Sequence, residues 1–331
     1  MSKPNIWQQL KRPIMVQAPM ADVTDAAFRQ IINKYGKPDL FFTEFVSADG
    51  LMHPEGRKKL LRELYFVPSE KPIIAQLFTS RPEVLKEAVA FVETLGFDGI
   101  DINMGCPDRG IEKQGCGADL IKHPKLAQEL ILAAKAGTSL PVSVKTRIGY
   151  NKNEIKEWAE TLLETEPAAI TFHLRTRKEM SKVEAHWDEI KIPVELAKGS
   201  KTLILGNGDV SDLVEAKNKV DIYGVDGVMI GRGIYGNPWL YSGVVPSVAE
   251  KLKVLIEHSN LFWDLFGPTE KNKELFGGHT KSFAIMKKHF KAYVEGFVGA
   301  SELRAELMQA ENAEGVEEII NRFLAEAKFL V

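Results

Sequence analysis

Eight short apolar runs, spaced by stretches long enough for a helix, recur through the first 230 of the chain's 331 residues. This rhythm constrains the fold more than any other feature of the sequence. The runs are Met15–Ala18, Leu40–Thr43, Ile73–Leu77, Gly99–Asn103, Val142–Thr146, Ala169–His173, Thr202–Gly206 and Gly227–Ile230. Most are apolar throughout rather than alternating, as expected of parallel strands covered on both faces. Between them lie amphipathic stretches such as Glu83–Leu95 and Pro124–Ala136, suited to crossover helices. Eight strand–helix units predict an α/β chain folded as a (β/α)8 TIM barrel, with a doubly wound open sheet as the alternative.

After Tyr241 the pattern changes. Gly236, Pro238, Gly243 and Pro246 break the chain, and from Ser247 to Val331 the patterns are helical only. The expected organisation is a catalytic barrel over residues 1–242 and a small all-helical C-terminal domain over 243–331. No apolar run approaches the ~18 residues of a membrane span. The N-terminal Met1–Pro13 segment lacks the apolar core of a secretory signal, so a cytoplasmic location is expected. With only two cysteines, Cys106 and Cys116, a disulfide framework is not expected and both read as free thiols. No His/Cys spacing resembles a zinc cluster, so no metal is expected.

In a TIM barrel the chemistry sits at the C-terminal ends of the strands. The residues that end each run are therefore informative. Strand one ends in Ala18-Pro19-Met20, strand two in Thr43-Glu44 and strand three at Gln76. Strand four runs into Asn103-Met104-Gly105-Cys106-Pro107. Strand five delivers Lys145 and Arg147, and strand six His173 and Arg175. The last two loops are Asn207-Gly208-Asp209 and Gly231-Arg232-Gly233. Loops seven and eight are where such barrels hold phosphate, since glycines let backbone N–H groups approach an anion and Arg232 adds charge. Gln76, Asn103, Lys145 and His173 then face the ligand's other end, where a flat ring with several carbonyls and nitrogens would suit them. Flavin mononucleotide meets both demands, and Lys145 could stabilise the N1–C2=O edge of a reduced flavin.

At these positions the sequence resembles the tRNA-dihydrouridine synthase family. The matching stretches are Ala18–Asp25, Ala75–Phe78, Asp101–Pro107, Val144–Gly149, His173–Arg177, Gly206–Asp209 and Ile230–Gly233, in family order. Asn103-Met104-Gly105-Cys106-Pro107 is the most specific of them. The helical C-terminal part is similar, more loosely, to the family's tRNA-binding domain.

The resemblance implies an FMN enzyme that takes electrons from NADPH (or NADH) and reduces uridine to 5,6-dihydrouridine in tRNA. It implies hydride delivery to uracil C6 and a proton from Cys106, acting as general acid, to C5. Pro19, Met20, Gln76, Lys145, His173, Asn207, Gly208, Asp209, Gly231 and Arg232 would bind the cofactor. Asn103 would orient the uracil, and Arg147 and Arg175 would contact substrate. No obligate protein partner is implied. The family usually has Gly where Asp22 and Leu174 stand. Asp22 would bring a carboxylate near the flavin, and Leu174 would narrow a turn.

Beside these stand plainer readings. Buried Cys is a common packing residue, and Cys116 is read so; Cys106 is set apart by its Gly-Cys-Pro loop at a strand end. His53, His123, His186, His258 and His279 read as surface or capping residues. For RNA, the stretch His279–Ala300 places Phe283, Met286, Phe290, Tyr293 and Phe297 on one helical face, with Lys281, Lys287, Lys288 and Lys291 opposite. Its net charge is +3 in a chain of net charge −2. Arg57, Lys58, Lys59 and Arg62 form a second basic cluster, and Arg304 is a further candidate for phosphate contact. Two other functions compete: an FMN barrel acting on a free pyrimidine, such as a dihydroorotate or dihydropyrimidine dehydrogenase, and an RNA-binding protein on a decayed barrel.

Overall fold

The computed structural model describes residues 5–327. Within them, eight parallel strands form one sheet: β1 (Ile14–Gln17), β2 (Phe41–Ser47), β3 (Ile73–Phe78), β4 (Gly99–Met104), β5 (Val142–Arg147), β6 (Ala169–His173), β7 (Leu203–Asn207) and β8 (Gly227–Ile230). The order runs β1-β8-β7-β6-β5-β4-β3-β2, so the first strand pairs with the last. A parallel bridge between Val16 and Leu40 closes the remaining gap between β1 and β2. The result is the expected (β/α)8 barrel. Crossover helices include Ala26–Tyr35, Pro82–Thr94, Pro124–Gly137, Ile155–Leu163 and Leu213–Tyr223, while three short helical turns over residues 48–64 join β2 to β3.

Two separate apolar cores result from strand alternation. Ile14, Val16, Phe42, Ile74, Ala169, Leu203, Leu205 and Met229 fill the barrel interior together with Trp7. The opposite side chains, such as Ile100, Ile102, Val144, Ile170 and Val228, pack under the helices. The inner plug occupies the N-terminal side of the barrel. Polar side chains take its place toward the C-terminal ends, and that change creates a mouth.

After β8 the described chain is helical: Val248–Phe266, Glu270–Phe276, Met286–Tyr293, Ala300–Leu307 and Ala313–Ala327. Ser247 opens the first of these with a capping box, its hydroxyl accepting from the Glu250 N–H while the Glu250 carboxylate accepts from the Ser247 N–H. This helix packs on Ala26–Tyr35 and on Ala313–Ala327, and its buried residues join the core under the barrel helices. His258 belongs to that seam. It is fully buried, stacks on Phe28 at 5.1 Å between ring centroids and meets His289 at 4.5 Å. No ring nitrogen of either histidine has a hydrogen-bond partner among the described residues. His258 is thus a core residue and not a surface or capping one. Burial holds both imidazoles well below their ordinary pKa, hence neutral.

The stretch 279–300 is not one continuous helix. A short turn at Phe283–Ile285 leads into Met286–Tyr293, and the helix stops at Val294. Phe283, Met286, Phe290 and Tyr293 are buried as the apolar spacing predicts, while Phe297 lies beyond the helix end.

Candidate active site

Strand register assembles the mouth in layers. Gln76 on β3 pairs with Asp101 on β4, which pairs with Ser143 on β5. One layer higher, Asn103 pairs with Lys145 and Lys145 with Thr171. At the rim Arg147 pairs with His173 and His173 with Asn207. Because the side-chain period is two, each of these sets faces the barrel interior.

The first two layers form a hydrogen-bonded chain whose directions are fixed. Ser143 Oγ donates to Asp101 at 2.6 Å, and Gln76 Nε2 donates to the other carboxylate oxygen at 2.7 Å. Gln76 Oε1 then accepts from Asn103 Nδ2 at 3.0 Å. Asn103 Oδ1 accepts from the backbone N–H of Gly105 at 3.1 Å and of Cys106 at 2.9 Å. A buried carboxylate thus orients two amides in series, and the last amide holds the cysteine loop. Gly105 is required here, since a methyl group would come within 3.1 Å of the Thr146 backbone. Burial pushes the Asp101 carboxyl up to about 6, against Ser143, Gln76 and Lys145, which favour its charge. Asp101 and Ser143 were not singled out from sequence. The signal was present in the alternation of Asp101 with Asn103 inside an otherwise apolar strand.

Cys106 is a free thiol, partly exposed, with its carbonyl accepting from the Ala118 N–H at 2.9 Å. Burial pushes the thiol pKa up, more than Lys145 and Arg147 pull it down, so the sulfur is protonated at neutral pH. Cys116 is buried and its Sγ donates to the Gln114 carbonyl at 3.4 Å, consistent with packing. Lys145 has no hydrogen-bond or ion-pair partner among the described residues. Removal from bulk water lowers its ammonium to about 8, helped by Arg147 and opposed by Asp101 and Cys106.

His173 has a defined tautomer. Asn207 Nδ2 donates to the Met229 carbonyl at 2.7 Å, so Asn207 Oδ1 is the atom that meets His173 Nδ1 at 2.8 Å. Nδ1 therefore carries the hydrogen. Burial, with Arg147 and Lys145, keeps the ring well below its ordinary pKa, and Nε2 accepts from the Arg175 guanidinium at 3.5 Å.

Beyond β7 and β8, Gly208, Asp209, Val210, Ser211, Gly231, Arg232 and Gly233 line a cavity of about 410 Å³. A methyl group at Gly208 would lie 2.8 Å from the Ala185 side chain, and at Gly233 2.8 Å from the Val210 carbonyl. The cradle needs both glycines. Asp209 does not project free into it: the carboxylate pairs with Arg175 and, at 2.7 Å, with Arg232. The two arginines balance it, leaving a net positive cradle.

Other sequence-predicted residues are engaged elsewhere. Arg147 donates to the carbonyls of Gly105, Thr176 and Met180, and Arg175 to that of Val183, so both tie rim loops together. Asp22 turns its carboxylate to Lys288, at 3.4 Å, rather than standing alone by the mouth; its φ of 53° explains why glycine suits the position. Leu174 is fully buried in the core. Lys281 is not on a solvated face: its side chain is 4% exposed and pairs with Glu44 and Glu63. Lys288 and Lys291 are exposed and Lys287 half-buried. Arg304 donates to the Val294 carbonyl at 2.6 Å, capping the chain beyond its own helix. In the second basic cluster, Arg57 donates to Leu51 and lies over Phe91, Arg62 donates to Thr280, and Lys58 pairs with Glu55.

A closed (β/α)8 barrel with a protonated thiol, a lone ammonium and a neutral imidazole around its C-terminal mouth defines a barrel enzyme. The family described as dihydrouridine synthase (Dus) matches residues 16–328, and the chain belongs to this family of oxidoreductases. It is 40% identical over 327 residues to a probable tRNA-dihydrouridine synthase of Staphylococcus aureus (strain MRSA252), covering 98% of this chain and 97% of that protein. It is 40% identical over 331 residues to probable tRNA-dihydrouridine synthase 2 of Bacillus subtilis (strain 168), covering 98% of each. Among solved structures, morphinone reductase is similar over 73% of this chain and 89% of its own, with a TM-score of 0.50 and 13% identity. Histamine dehydrogenase from Rhizobium sp. 4-9 is similar over 78% and 51%, with a TM-score of 0.51 and 12% identity. At such identities these two attest the fold alone. Within the described residues no helix is long and apolar enough to cross a membrane.

Proposed function

We propose that this chain reduces uridine to 5,6-dihydrouridine in tRNA, with FMN as cofactor and NADPH (or NADH) as reductant. The observation that carries the reading is the Cys106 thiol, kept protonated by burial and held by Asn103 on a fixed loop near Lys145 and Arg147. The residues fit the cofactor. Gly208, Gly231 and Gly233 line a positive cradle that suits a phosphate, and Lys145 is a cation inside the mouth with no hydrogen-bond or ion-pair partner among the described residues. Pro19, Met20, Gln76, Lys145, His173, Asn207 and Arg232 would hold it, with Asp209 acting through its two arginines. When bound and reduced, FMN supplies the hydride for uracil C6.

The chain's own residues supply the rest. Cys106 gives its proton to C5, a role that a thiol pKa above the neutral range suits. Asn103 acts first on the Cys106 loop; its remaining amide hydrogen is available to a pyrimidine carbonyl. The target base must leave its stack to reach the mouth. We divide the chain into a catalytic barrel, 1–242, and a tRNA-binding helical region, 243–331. Lys287, Lys288 and Lys291 on the Met286–Tyr293 helix are its candidate phosphate contacts, with Arg304, which also donates to the Val294 carbonyl, as a further one. A tRNA substrate also favours a cytoplasmic location.

The test is turnover of unmodified tRNA by purified protein. Wild type is expected to bind flavin and form dihydrouridine. Cys106→Ala should keep flavin reduction by NADPH and lose dihydrouridine, while Cys116→Ala behaves as wild type. Turnover of free uracil or dihydroorotate in place of tRNA would overturn the substrate; loss of product in Cys116→Ala alone would overturn the choice of thiol.

A further inference from the structure

The described chain buries one lysine among carboxylates, at the boundary between barrel and helices. Lys281 stands between the Glu270–Phe276 helix and the turn at Phe283. Its backbone N–H donates to the Phe266 carbonyl at 2.9 Å, its ammonium lies over the Phe266 ring, and the Arg62 guanidinium donates to the preceding Thr280 carbonyl at 2.6 Å. The ammonium itself meets Glu44 at 2.8 Å and also Glu63. Asp25 adds a third carboxylate to the surroundings.

Glu44 faces two ways. One oxygen accepts from Lys281, the other from the backbone N–H of Asp22. Asp22 sits in a left-handed conformation at the tip of the turn after β1, where the N–H groups of Val23 and Thr24 both donate to the Met20 carbonyl. Arg29 secures the far end of that turn by donating to the Thr24 carbonyl at 2.8 Å. Met20 reaches the strand-eight loop: a methyl group on Gly231 would lie 3.5 Å from Met20 Sδ. Burial raises the Glu44 carboxyl to about 8, against the pull of the Lys281 ammonium. A buried pair of this kind adds little net stability; what it can add is a defined geometry.

We propose that Lys281 is a positioning residue: through Glu44 it fixes the Met20–Thr24 turn against the Gly231 loop, so the C-terminal helices hold part of the barrel mouth in shape. That this turn serves a cofactor rests on the function proposed above; the coupling itself does not.

The test reads hydrogen exchange at the Asp22 amide in flavin-free, full-length protein. In Lys281→Met that amide should exchange at least about tenfold faster, the scale of one lost buried hydrogen bond. Lys281→Arg should restore protection. Glu257→Gln, which cuts a different barrel–helix contact to Lys34 and Tyr35, should leave Asp22 unchanged. FMN, titrated through quenching of its fluorescence, should bind Lys281→Met about tenfold more weakly. Unchanged Asp22 exchange in folded Lys281→Met, or equal loosening in Glu257→Gln, overturns the coupling. Loosened Asp22 with unchanged FMN affinity overturns its bearing on the cofactor. If wild type takes up no FMN, the proposed function fails while the exchange result still decides the coupling. Should Lys281→Met not fold, wild-type exchange in denaturant decides: one shared opening isotherm for the Asp22 and Lys281 amides supports the coupling, and separate isotherms overturn it.

Discussion

Replacing Asn103 with leucine, nearly its equal in size, removes one acceptor and one donor from the floor of the mouth. Three groups lose partners: the N–H of Gly105, the N–H of Cys106 and Gln76 Oε1. A buried polar group left unpaired costs roughly 1–3 kcal/mol, giving about 3–9 kcal/mol in all. Cys106 is partly exposed, so water can re-enter its loop and the lower end, about 3 kcal/mol, is expected. A domain of ordinary stability, roughly 5–15 kcal/mol, survives that loss folded. Urea unfolding of apoprotein measures it directly. Iodoacetamide kinetics supply a second reading: with its loop released, Cys106 should become more accessible and alkylate faster at a fixed pH. If Asn103→Leu unfolds within about 1 kcal/mol of wild type, alkylates at the same rate and moves only the substrate KM, Asn103 is a substrate contact and not the anchor of the loop.

Other consequences can be measured on the same protein. Alkylation of Cys106 against pH should show a midpoint above that of free cysteine, because burial opposes the thiolate; a midpoint at or below the free value removes the case for a protonated donor. Lys145 loses its proton near pH 8 in the unliganded site, so a ring carbonyl that accepts a hydrogen bond from its ammonium draws that proton back on. Calorimetry of FMN binding at pH 8.5 in buffers of different ionisation enthalpy should show proton uptake that vanishes in Lys145→Met; equal uptake in both would move the linked group elsewhere. Changing Lys287, Lys288 and Lys291 together to Glu should weaken tRNA binding and flatten its salt dependence, leaving flavin affinity alone; unchanged tRNA affinity would remove the patch.

The sequence carried the barrel because buried parallel strands have to be apolar on both faces. β6 and β8 begin and end where the apolar runs do, and β7 lies one residue later at both ends than its run. Strand ends also placed Cys106, Lys145 and His173 at the mouth, since in this fold the C-terminal ends of the strands form it. What stayed hidden depends on partners distant in sequence. A helical wheel sees Lys281 opposite the aromatic face, but its carboxylates lie more than 200 residues away on another layer. His258 was misjudged by residue type, although Leu255 and Phe262, three before and four after it, place it on the buried stripe. Asp22 was judged by its charge, when its backbone conformation and the neighbouring Lys288 decide where the carboxylate goes.

The imidazole of His173 is pinned through Asn207 to a strand carbonyl, and that pinning limits what it can do in a catalytic cycle. Its outer nitrogen accepts from Arg175 and has no hydrogen to give near neutrality. A reaction that consumes a proton in this mouth must draw it from a different group, and the ring stays a fixed neutral acceptor at the rim.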